Sequence, residues 1–120
     1  MAIINITNDS FSDGGLYLDT DSAVSHARFC IEQGAHILDL GAQSTRPGAS
    51  DVGPEIEIQR LLPVIKEIKS ISPETLISVD TFNHSVAYES LKCGADLIND
   101  VSGGRHDPEI FKVVAEFGCP

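Results

Sequence analysis

Short apolar runs and longer stretches of helical periodicity alternate along the chain. Residues 2–7 (Ala-Ile-Ile-Asn-Ile-Thr) read as a strand, followed by a glycine-rich loop. Ala23, Ala27, Cys30 and Ile31 recur at helical spacing, which predicts a helix over 21–33 with Thr20 or Asp21 as its cap and Gly34 as its stop. A second strand is expected at 36–40. After a loop over 41–54, a second helix is expected from Pro54 to Ser70, with Pro54 near its first position. Ile58, Leu61, Leu62, Ile65 and Ile68 form its apolar stripe, and Pro63 should bend it or remove a hydrogen bond. The pattern then repeats: a strand at 75–79, a helix at 83–92 ending at Gly94, a strand at 96–99, and a helix from Asp107-Pro108 to about Phe117. Two of the turns back into strands share one form, Gln33-Gly34-Ala35-His36 and Cys93-Gly94-Ala95-Asp96.

Four strand–helix units in a row predict an α/β fold with parallel strands and right-handed crossovers. The strands are apolar on both faces, as buried parallel strands are. An open doubly wound sheet and part of a (β/α)8 barrel both fit. A complete barrel needs about 250 residues, so 120 residues supply about the first four units. Met1 stands directly before a strand and Pro120 where a fifth strand is due, so the chain reads as the N-terminal part of a single barrel domain.

Polar residues gather where these strands end, which is where parallel α/β folds place their chemistry. Asn5 offers a neutral amide oxygen for a hard cation, or satisfies loop backbone. The segment Asp9-Ser10-Phe11-Ser12-Asp13-Gly14-Gly15 reads either as an ordinary turn or as a loop that closes over a ligand. Ser44-Thr45-Arg46-Pro47-Gly48 is the sharpest local signal: a guanidinium fork with neighbouring hydroxyls suits a phosphate group. Asp80 suits the N–H edge of a heterocycle or a metal; alternatively Asp80 or Thr81 caps the following helix. Asn99 offers both donor and acceptor to a heterocycle edge, Asp100 reads as a turn residue, and Val101 can wall a pocket above Asn99.

Charge narrows the partners. With 18 acidic against 8 basic side chains the formal net charge is −10, and no basic patch offsets it. Nucleic acid and anionic membrane are therefore not expected as partners. The three cysteines, Cys30, Cys93 and Cys119, are odd in number and lack metal-type spacing, and the four histidines form no ligand motif. No apolar run approaches the roughly 20 residues of a membrane span, and the start lacks a basic leader. The chain is expected to be soluble in the cytoplasm or another reducing compartment.

Taken together, four segments resemble one family. Residues 5–15 are similar to the first signature of the dihydropteroate synthases, and Gln43-Ser44-Thr45-Arg46-Pro47-Gly48-Ala49 to their second. Ile77-Ser78-Val79-Asp80-Thr81 and Ile98-Asn99-Asp100-Val101-Ser102-Gly103-Gly104 are similar to the third and fourth, in family order. The resemblance implies a (β/α)8 barrel and a transferase of folate biosynthesis, a family that sulfonamides target. Its substrates would be 6-hydroxymethyl-7,8-dihydropterin diphosphate and p-aminobenzoate, with Mg2+ accompanying the diphosphate and a homodimer as the full-length protein. Carried over by position, Asn5 would be the metal-associated residue, Asp80 and Asn99 would hold the pterin ring, and Val101 would lie on its face. Thr45 and Arg46 would contact the diphosphate region, and Phe11, Ser44 and Pro47 would shape the p-aminobenzoate pocket. Asp9 would stand near the developing positive charge on the methylene carbon, and Asp39 would support Asn5 or Arg46.

Two positions depart from the family pattern: Asn8 stands where Pro is usual and Gln43 where Glu is common. The family's later strands also bring an Asp, a Lys and an Arg-x-His pair that lie outside these residues, so the chain carries about half of the implied site. The competing expectation is a non-catalytic pterin- or anion-binding module of the same barrel superfamily. The 120-residue piece by itself is expected to have little or no activity.

Overall fold

The computed structural model describes residues 2–6, 15–42, 53–100 and 107–118; for Asn5 and residues 15–19 it describes the backbone alone. Four strands alternate with four helices: β1 (Ala2–Asn5), α1 (Gly15–Glu32), β2 (Ile37–Gly41), α2 (Pro54–Ile71), β3 (Leu76–Asp80), α3 (His84–Cys93), β4 (Leu97–Asn99) and α4 (Ile110–Phe117). The strands form one parallel sheet in the order β1-β2-β3-β4.

That order decides between the two architectures. A doubly wound sheet reverses its strand order at a switch point and covers both faces with helices. Here the order never reverses. Consecutive helices pack on one another, α1 on α2, α2 on α3 and α3 on α4, as a single layer. Sequential strands with one outer helical layer are the beginning of a barrel wall.

Register sorts the side chains onto two faces. Ile4, Leu40, Val79 and Ile98 share one row. The first three are fully buried in one core with Ala27 of α1, Leu61, Val64, Ile65 and Ile68 of α2, Val86 and Ala87 of α3, and Ile110 and Val113 of α4. The alternate row carries Ile3, Asp39, Ser78 and Leu97, and Ile3 is 62% exposed. The strands are therefore not apolar on both faces. One face is the hydrophobic seam with the helices, and the other mixes apolar with polar groups, as the inside of a barrel does near a site.

Several expected boundaries shift. α1 begins at Gly15 rather than residue 21, so Thr20 and Asp21 lie inside the helix and do not cap it. An interior Thr or Asp costs only about 0.7 kcal/mol or less against Ala, which a continuous hydrogen-bond ladder and the packing of Ala23 and Ala27 outweigh. Gly34 does stop α1, at φ 98°, with its N–H on the Ile31 carbonyl at 3.0 Å. Gly94 likewise closes α3 at φ 126°. α2 runs unbroken through Pro63, whose ring lies on the exposed side. α3 takes Asn83 as its N-cap rather than Asp80 or Thr81, which frees both for other work.

Candidate functional site

The top row of the sheet, at the C-terminal edge, reads Asn5, Gly41, Asp80, Asn99 across four neighbouring strands. Asp80 and Asn99 are direct register partners, on the same row and hence the same face. Gly41 between Asn5 and Asp80 contributes no side chain, so the row has a gap at β2. Two residues before Gly41 and on the same face, Asp39 is 4% exposed, and its Oδ2 accepts a 3.4 Å contact from Asn99 Nδ2. Its Oδ1 is buried with no hydrogen-bond partner among the described residues. An unmade bond on a buried carboxylate oxygen is costly, so this oxygen marks a place where a donor is wanted beside Asn99.

Three carboxylates therefore crowd one edge. Burial raises the Asp80 pKa above its ordinary value, and the negative charges of Asp39 and then Asp100 raise it further. Such a carboxylate gains most from a ligand that presents N–H donors, because the ligand replaces lost hydration and offsets the repulsion.

Two elements hold this edge from behind. Thr81 follows Asp80 and faces the helices: it is 2% exposed, and its hydroxyl donates to Glu57 Oε1 of α2 at 3.3 Å. Asn83 Nδ2 donates to Glu57 Oε2 at 2.6 Å, and the Asn83 N–H donates to Thr81 Oγ1 at 3.2 Å. The Thr81 N–H donates to the Asn99 carbonyl at 3.2 Å, tying the ends of β3 and β4 together. One helical turn after Glu57, Arg60 Nη1 donates to the Ala42 carbonyl at 2.9 Å, two residues before Ser44 in the chain.

Glu57 was not among the expected residues. Its signal was present: positions 57, 61, 64, 65 and 68 form the buried stripe of α2, and an acidic residue stands where an apolar one belongs. The support expected from Asp39 toward Asn5 or Arg46 falls on groups outside the described side chains; the contact seen is with Asn99. Asp9, Phe11, Ser44, Thr45, Arg46, Pro47 and Val101 all lie outside the described residues, as does the side chain of Asn5.

For a cation, the donor chemistry fits one arrangement. Mg2+ binds few protein groups and keeps water and phosphate oxygens, which a lone Asn at a strand end can share. Among the described residues, no group of three His, Cys, Asp or Glu is placed to hold a metal ion by itself. A cleft of about 340 Å3 lined by Gly34, Ala35, His36 and Thr75 lies at the opposite edge of the sheet and touches none of these groups.

Comparison with known proteins agrees with the geometry. Residues 1–120 match the family of pterin binding enzymes throughout. The chain belongs to that family. A dihydropteroate synthase of Bacillus subtilis is 50% identical over 121 residues, spanning all of this chain and 42% of the relative. The structure of the Xanthomonas albilineans dihydropteroate synthase with 4-aminobenzoic acid superposes with a TM-score of 0.88 at 42% identity, over 100% of this chain and 44% of that one. The Anaplasma phagocytophilum enzyme with bound 6-hydroxymethylpterin-monophosphate does so with a TM-score of 0.88 at 42% identity, over 98% and 45%. The chain thus spans less than half the length of these relatives, and its sheet corresponds to the first strand–helix units of their barrel. Among the described residues, no helix is long and apolar enough to cross a membrane.

Proposed function

We propose that the full-length protein is a dihydropteroate synthase, which joins p-aminobenzoate to 6-hydroxymethyl-7,8-dihydropterin diphosphate and releases diphosphate. The observation that carries the reading is the Asp80–Asn99 pair on one row at the C-terminal edge of a parallel sheet, in a chain of the pterin-binding family. Relatives solved with 4-aminobenzoic acid and with a hydroxymethylpterin monophosphate support both halves of the substrate pair.

In this reading ionised Asp80 accepts from ring N–H groups of the pterin, Asn99 donates and accepts at the adjacent edge, and Val101 lies on the ring face. Thr45 and Arg46 hold the diphosphate, and Phe11, Ser44 and Pro47 enclose p-aminobenzoate. The amine lone pair forms a C–N bond to the pterin methylene as the C–O bond to diphosphate breaks. The diphosphate leaves with that electron pair, and the amine nitrogen then loses a proton. Positive charge grows on the methylene carbon during this exchange. A fixed carboxylate at Asp9 stabilises it more in the transition state than in the bound substrate, which is what accelerates a reaction. Asn5 would share the Mg2+ of the diphosphate; when bound, that ion supplies charge neutralisation to the leaving group. We place the protein in the cytoplasm or another reducing compartment, on its odd cysteine count and the free thiols of Cys30 and Cys93, and expect a homodimer.

Incubating the full-length protein with both substrates and Mg2+ tests the reading. Dihydropteroate and diphosphate should form in equal amounts. Pterin binding with no turnover would favour a pterin-binding module of the same superfamily instead.

A further inference from the structure

The buried contact between α2 and the β3–α3 turn is polar in a seam that is otherwise apolar. Glu57 is 1% exposed, and it shares the stripe with Leu61, Val64, Ile65 and Ile68. Burying a carboxylate is expensive unless hydrogen bonds replace its hydration. Glu57 receives such bonds from Thr81 and Asn83, both within three residues of Asp80. Strand alternation then does the coupling: Asp80 faces the site, and Thr81, the next residue, faces α2. The Thr81 backbone also carries the bond to the Asn99 carbonyl. Any shift of the Thr81 side chain therefore moves the peptide between the two groups that define the polar row.

We propose that Glu57 is a positioning residue for pterin recognition: through Thr81 and Asn83 it fixes the end of β3, and with it the spacing of Asp80 and Asn99, from the far side of the sheet. This rests on the dihydropteroate synthase reading. Glu57 makes no substrate contact in it. A hydrophobic residue would fill the same seam position, but it would leave the Thr81 hydroxyl and the Asn83 amide without their acceptor.

The test uses the full-length protein and three variants: Glu57→Ala, Glu57→Gln and Thr81→Val. Each is assayed for melting temperature, for the KM of both substrates, and for the Kd of 6-hydroxymethylpterin alone. Glu57→Ala and Thr81→Val should weaken pterin binding on the order of tenfold, the scale of a misplaced hydrogen-bonding pair. The p-aminobenzoate KM should move less than about twofold, because its contacts lie on other loops. Glu57→Gln keeps one acceptor and should fall between Glu57→Ala and wild type. If Glu57→Ala does not fold, Thr81→Val and Glu57→Gln carry the same test. Unchanged pterin Kd in both of those variants overturns the proposal. So does a parallel rise of both KM values with a lowered melting temperature, the mark of general loosening. A wild-type protein that binds no pterin at all overturns the functional reading itself, and this inference with it.

Discussion

Asp80 is a residue whose charge is set against the stability of the ligand-free fold. Its pKa is raised, so folding favours the protonated form. The sign follows: the stability that Asp80 contributes is full below its ordinary value of 3.8 and is lost as the pH climbs through the higher folded value. At pH 7 the ionised group is a liability in the ligand-free protein. Asp80→Asn should therefore raise the melting temperature at pH 7, and the advantage over wild type should close as the pH falls toward 4. The same change should weaken pterin binding by about 10- to 100-fold, since a hydrogen bond to a charged acceptor contributes about 1.5–3 kcal/mol. Thermal melts across pH and a pterin titration check both halves; a variant that is neither more stable nor weaker in binding sinks the argument. The placement of Asp80 and Asn99 at strand ends was legible in the sequence, because each closes a short apolar run. Glu57 was not, because a helix with two other acidic residues hides a third until its position in the apolar stripe is counted.

At the scale of elements, periodicity located each strand and helix among the described residues, and local chemistry misplaced some of their ends. The glycine stops were reliable, since Gly34 and Gly94 adopt positive φ that other residues avoid. The caps were not, because Thr20 and Asp21 look the same inside a helix as before one. Helix ends are also joined by contacts no local window contains. Asp107, just before α4, accepts the His84 N–H at the start of α3 at 2.8 Å and, through its other oxygen, the Glu109 N–H at 3.2 Å. These bonds, the His84 backbone one foremost, hold its carboxyl below the usual range. Its contribution is present above the ordinary value of 3.8 and is lost as the pH falls through the lower folded value. Asp107→Ala should cost about 1 kcal/mol at pH 7, as lost helix caps do, and less in acid. A lowered urea midpoint with unchanged slope is the expected readout. In the middle of the seam, Leu61→Ala should cost more, about 2–5 kcal/mol, because Leu61 is fully buried among the sheet-facing side chains.

For the whole molecule, the barrel reading makes a demand that the four units do not meet by themselves. β1 and β4 stand at the two ends of the sheet, and each has a strand partner on one side only among the described residues. Among the described residues no helix covers the inner face, and Ile3 is largely exposed there. Bare strand edges pair readily with other chains, and natural proteins blunt, cover or close them. In a complete barrel, further strands would close the ring and bury both. A full-length protein cut after Pro120 should therefore run as mixed oligomers on size exclusion with light scattering, and should turn over no substrate. Separating edge pairing from plain instability needs a second piece. Adding the remaining strand–helix units as a separate chain should restore a discrete species and some turnover, because closure removes both edges at once. A soluble, monomeric and active 120-residue piece would show instead that the first four units hold the site without closure, and that the edges are protected in a way the sheet order does not reveal.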